Sequence, residues 1–123
     1  MDPDISDLTR ALDIADGYLT LRMWEHAWNT IEDAPSHWKN HPDALRRRID
    51  ALTGLEEWGK AHALAYDVVS IFPMRADLWQ RLARLQAREG DFRGARESVA
   101  KCIELRDDMR VEIAHDDMLA GIW

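Results

Sequence analysis

The chain has 123 residues, 46% of them hydrophobic and 32% charged, which fits one folded domain with a real core and excludes a disordered tail. Its net charge of −7 argues against a general nucleic-acid binder. The charge is zoned: residues 1–45 carry nine acids against three bases, and residues 75–110 carry nine bases against seven acids.

From the N-terminus, Ile5, Leu8, Leu12, Ala15 and Leu19 recur at helical spacing and predict a helix over 5–20, with Asp4 or Ser6 as its N-cap. The opening residues show no basic-then-apolar pattern of a secretory signal, and no apolar run approaches membrane-spanning length. A second helix over 24–34 carries Trp24, Ala27, Trp28 and Ile31 and is stopped by Pro35. Residues 35–41 form the longest loop, and Pro42 suits the first turn of a third helix over 42–54. A fourth, over 58–71, uses Trp58, Ala61, Leu64, Ala65 and Val68 and is closed by Pro73. A fifth, over 76–89, uses Leu78, Trp79, Leu82, Ala83 and Leu85, with Gly90 as its C-terminal glycine. Asp91 caps a sixth over 92–105, and the apolar set from Met109 to Trp123 predicts a seventh, terminal helix.

These elements repeat every 34 residues: Ala27, Ala61 and Ala95 stand in register, each three residues after Trp24, Trp58 or Phe92. Such a period indicates stacked helical hairpins that cannot bury their apolar faces alone. The small alanines permit close helix approach, and the aromatics are expected to fill the hairpin base.

The motif Trp79-x2-Leu82-Ala83, followed by Ala95-x3-Val99, resembles the tetratricopeptide repeat family, as do Ala61-x3-Ala65 before Pro73 and Ala27-x3-Ile31. The likeness runs from about residue 8 to 107 and departs from the family pattern at Arg48, Ile49 and Gln86. It implies an all-α right-handed solenoid in a single domain, with hairpins over about 8–41, 42–75 and 76–109 and a cap over 109–123.

Little in the chain points to chemistry. Cys102 and the serines lack a base at any informative spacing, and no phosphate-binding glycine loop or paired-cysteine zinc motif is present. Cys102 lies on an apolar stripe and reads as a small buried thiol. His37 and His41 are four apart, a spacing that could share a helix face, but they flank a proline-containing loop, so no metal site is expected. The adjacent acids Asp116 and Asp117 read as capping, solvated groups. Neither a cofactor nor catalysis is expected.

In the tetratricopeptide family the first helix of each hairpin lines a concave groove that receives an extended peptide. By that resemblance, the groove residues here are Arg46, Arg47, Asp50, Gln80, Arg81, Arg84 and Arg88. Guanidinium forks suit carboxylates, so the expected partner is an acidic segment of another protein, bound by an interaction scaffold. The i,i+4 pairs Asp43–Arg47, Asp77–Arg81 and Arg46–Asp50 neutralise part of this face, whereas Arg84 and Arg88 have no acid four residues before them. Trp38 and Trp123 are the expected exposed anchors. Leu12, Asp16 and Asp77 replace residues of the family's clamp for chaperone C-termini, so that clamp is not expected. The alternative is a small chaperone holding a client, which a charged groove disfavours. A cytoplasmic protein without nucleic-acid or membrane partners is expected, and a homo-oligomer is compatible with the reading.

Overall fold

The computed structural model describes residues 3–123, with side chains from residue 6 onward. Seven α-helices occur among these residues: α1 (Pro3–Thr20), α2 (Trp24–Glu32), α3 (Pro42–Gly54), α4 (Trp58–Ile71), α5 (Ala76–Arg88), α6 (Phe92–Leu105) and α7 (Arg110–Ala114). Short 3-10 turns cover Ser36–Trp38, Asp107–Met109 and Asp117–Ile122, and no strand is present among the described residues. Six helices lie within a few residues of their predicted bounds. α1 begins earlier, at Pro3, so Asp4 and Ser6 lie inside the helix rather than capping it.

The chain divides into two compact units, the first ending at Ala61 and the second covering His62–Trp123. In the first unit α2 packs against both α1 and α3, around Ala15, Ile31 and Ala44 with Leu12 beside them. Ala27 is buried, consistent with a small residue where helices approach closely. Trp24 is half-buried, its ring lying where a side chain on Gly54 would stand, 2.1 Å from an added Cβ. Only glycine fits there. Pro42 occupies the first turn of α3, and His41 caps it by accepting the Asp43 amide at 3.1 Å.

In the second unit α5 and α6 pack against each other, and Gln86 near the end of α5 meets Ser98 of α6. Their shared core holds Ala76, Ala83, Ala95, Val99 and Cys102. Asp91 caps α6 through the Gly94 amide at 2.9 Å, as its type and position predict.

The terminal segment is not the single helix its apolar pattern predicts. α7 ends at Ala114, Asp116 turns extended (φ −82°, ψ 111°) and caps a new 3-10 stretch by accepting the Met118 amide. That local side-chain bond competes with helix continuation. The segment nonetheless packs as a cover, since Met109, Ile113, Leu119 and Ile122 join the α5–α6 core. Leu119, from the apolar set of this segment, is fully buried, and Met118 beside it is half-buried. Phe92 is a second correction: it is 44% exposed rather than filling a hairpin base.

Three helix ends share one backbone device. Arg22, Glu56 and Gly90, each 34 residues after the last, have positive φ (60°, 60° and 84°). In each case that residue's amide bonds to the carbonyl three residues back, and the next amide to the carbonyl five back. The pairs are Arg22–Leu19 with Met23–Tyr18, Glu56–Thr53 with Glu57–Leu52, and Gly90–Ala87 with Asp91–Gln86, all between 2.8 and 3.0 Å. This is the Schellman closure, which satisfies the last carbonyls of a helix.

Candidate peptide-binding surface

α5 forms because Leu78, Leu82, Ala83 and Leu85 repeat at helical spacing and are buried, which turns Arg81, Arg84 and Arg88 away from that stripe. The sequence reading leaves Arg84 without a local acid, and the structure corrects it. Arg84 Nε donates to Asp116 Oδ2 at 2.6 Å, an acid 32 residues later. The Asp116 carboxylate is only 6% exposed, so Asp116 caps as expected but is not a solvated group. An i,i+4 count sees only partners on the same helix, and this one arrives from the covering segment.

Gln80, expected in the groove, is fully buried. Its amide nitrogen lies 3.4 Å from both Glu112 and Asp116, and its oxygen accepts from Arg81 Nη1 at 3.2 Å. A buried amide must have partners, and Gln80 finds them between α5 and the terminal segment. Arg81 also donates to the Asp77 carbonyl, while the Asp77 carboxylate receives two bonds from Arg75, at 3.0 and 2.8 Å. Arg81 is half-buried and Arg88 exposed.

In the first unit Arg47 grips Asp16 with both Nε and Nη2, at 3.0 and 2.8 Å, and donates to the Asp43 carbonyl. Such two-pronged pairs are the strong geometry for a guanidinium and a carboxylate. Arg46 makes the expected pair with Asp50 at 3.1 Å and also approaches Asp16 at 3.5 Å. Asp43 stands beside the His41 ring, at 3.8 Å. Asp16 therefore finds its bases on α3, across the unit rather than along its own helix.

Sequence reasoning missed a neighbouring cluster. Arg48, a departure from the family pattern, bonds to Glu32 and lies over the Trp28 ring at 4.7 Å, while Lys39 reaches Glu32 at 3.6 Å. The spacing of Glu32 and Arg48 carries no local signal, so only the fold brings them together. Gln86, another departure, accepts the Ser98 hydroxyl at 2.6 Å. Ile49, the third, is fully buried.

Of the two expected anchors, Trp123 is 70% exposed and lines a hollow of about 590 Å³ with Val99, Ala100 and Ile103. Trp38 is not an exposed anchor: it is half-buried between the rings of His37 and His41, with its indole N–H shielded and unpaired. A second hollow of about 370 Å³ lies among Tyr66, Trp79, Gln86 and Lys101.

Cys102 is buried, with its Sγ 3.6 Å from Met109 Sδ. Burial, with Glu112 and Asp77 adding repulsion, pushes its thiol up to about 11, the wrong direction for a nucleophile. Among the described residues no three His, Cys, Asp or Glu side chains converge as a metal site, and no helix is long and apolar enough to cross a membrane. Compared with protein-family models and with proteins of known function, the sequence matches none.

Proposed function

We propose that this protein is a tetratricopeptide-like helical-repeat module, a right-handed solenoid of three hairpins with a terminal cap, that works by holding another protein rather than by catalysis. The observation that carries this reading is the turn geometry. Three helix ends, at Arg22, Glu56 and Gly90, share the same handedness of φ and the same pair of hydrogen bonds at the 34-residue period. A helical hairpin repeated at that interval is the unit from which such binding solenoids are built. Cytoplasmic residence is part of the same proposal.

The ligand we assign to it is an extended acidic segment, received by the arginines of α5. In the first unit Arg46 and Arg47 are already committed to Asp16 and Asp50, which makes α3 the poorer receiver. On α5, Arg84 serves the buried Asp116, so the residues that meet the ligand are Arg81 and Arg88. An incoming carboxylate there competes with the contacts these arginines already make within the protein, and surface pairs of this kind contribute only about 0–1 kcal/mol each. Binding is therefore modest and salt-sensitive.

Fluorescence anisotropy with a labelled glutamate-rich peptide tests the assignment. Replacing Arg81 and Arg88 together with Ala, and keeping Arg84 for its bond to Asp116, should weaken binding by about tenfold with the helical signal unchanged. Equal binding by the double variant, or none by the wild type, would remove the arginine face from the proposal.

A further inference from the structure

The first two of the three Schellman turns carry side chains that a water-facing turn does not need. Corresponding positions read Leu21, Leu55 and Glu89 before the positive-φ residue, and Met23, Glu57 and Asp91 after it. At the positive-φ position itself stand Arg22, Glu56 and Gly90. The third turn, with glycine between two acids, is what solvent and backbone both favour. The molecule thus contains its own reference, against which the first two turns are apolar and strained.

Their apolar side chains are uncovered. Leu21 is 67%, Met23 37% and Leu55 40% exposed. The two turns also meet, because the Trp24 ring, next to Met23, lies directly on Gly54, next to Leu55. Exposed apolar side chains therefore stand on two turns that are in contact within the first unit. Isolated exposed leucines are common, but exposed apolar residues on two turns in contact point to a contact surface.

The rim decides what fits. The stretches 20–25 and 54–57 carry Glu25, Glu56 and Glu57 against Arg22, three acids to one base. All four are exposed. We infer that the paired turns around Trp24 and Gly54 form a second docking surface, whose occupant is a basic amphipathic helix of another protein. Its apolar side chains would cover Leu21, Met23 and Leu55 while its lysines or arginines face the glutamates. This goes beyond the arginine face of α5, which takes the opposite charge, so the two surfaces fail or succeed independently.

A labelled amphipathic peptide of leucine and lysine, about 14 residues long, is the probe, since a helix in a groove is anchored at i, i+3/i+4 and i+7. The double variant Leu21→Ser/Leu55→Ser should weaken its binding by about tenfold, with helical signal and melting temperature unchanged. Glu56→Lys/Glu57→Lys should weaken it as well, and wild-type binding should fall with added salt. Capture of the glutamate-rich peptide should be unaffected by the serine pair. The inference is overturned if the basic peptide does not bind or if both variants bind it as the wild type does. Sedimentation velocity supplies the other decisive outcome: a concentration-dependent dimer lost in the serine pair would assign the patch to a second copy of the chain instead.

Discussion

At the residue scale, Gly90 and Asp91 announce a helix stop followed by a helix start, and the structure places both in those roles. The same stop at Arg22 and Glu56 is illegible, because neither residue type favours positive φ. Hydrogen bonds from the following turn hold them there regardless of propensity. Replacing Arg22 or Glu56 with Gly should therefore raise stability by about 0.5–1 kcal/mol, while Gly90→Ala lowers it by about 1 kcal/mol. Urea midpoints check the pair of signs, and a loss of stability from Arg22→Gly would mean that its side chain outweighs the strain. Cys102 yields a pH prediction. Its thiol rises from an ordinary 9.0 to about 11, chiefly through burial. Between those values the folded protein keeps a proton that the unfolded chain has released. The contribution is thus complete below about pH 9 and lost as pH climbs toward 11, on the order of 2–3 kcal/mol. The unfolding free energy of wild type should fall more steeply over that interval than that of Cys102→Ala. Parallel curves would show that the buried thiol ionises as freely as an exposed one.

At the element scale, the helices were readable wherever an apolar stripe ran for three turns or more, as in α3, α5 and α6. The terminal segment was not. Its apolar residues predict one helix, but Asp116 diverts the backbone because its carboxylate meets the Met118 amide and the Arg84 guanidinium at once. The second of those partners is invisible in a local window. The same residue explains why the arginine face was read as more open than it is. Leu119, on the terminal 3-10 turn, is fully buried in the core that this turn shares with α5 and α6. Leu119→Ala should cost about 2–4 kcal/mol, and Asp116→Ala about 1.5–3 kcal/mol by stranding Arg84 and Gln80. Val111→Ala, a 69% exposed control on the same segment, should change little. If the three variants shared one melting temperature, the segment would be an appendage rather than part of the second unit's core.

At the scale of the whole molecule, the 34-residue register was the most legible property, since alanine and aromatic positions repeat without any knowledge of contacts. How deeply each helix is buried was not, because amphipathic spacing reveals which face turns inward but not how much lies against it. α1 illustrates the gap. It is the longest helix, at 18 residues, yet Leu8 and Ala15 are its only buried side chains among those described. Ile14, on the same helix, is 46% exposed. α5 is shorter, at 13 residues, but buries Ala76, Leu78, Gln80, Leu82, Ala83 and Leu85. α6 adds Ala95, Ser98, Val99 and Cys102 on the facing side. Backbone hydrogen bonds open locally at a cost set by the packing that must be released with them. Length alone therefore misorders the helices, and burial should set their stability. In native-state hydrogen exchange followed by mass spectrometry, amides of α5 and α6 should exchange last and those of α1 well before them. Both sets are read in the same sample, so solvent and temperature cancel. The terminal segment should protect with α6, because Ile113, Leu119 and Ile122 share its core. Exchange from α1 as slow as that from α5 would show that its stability comes from something other than the few side chains it buries.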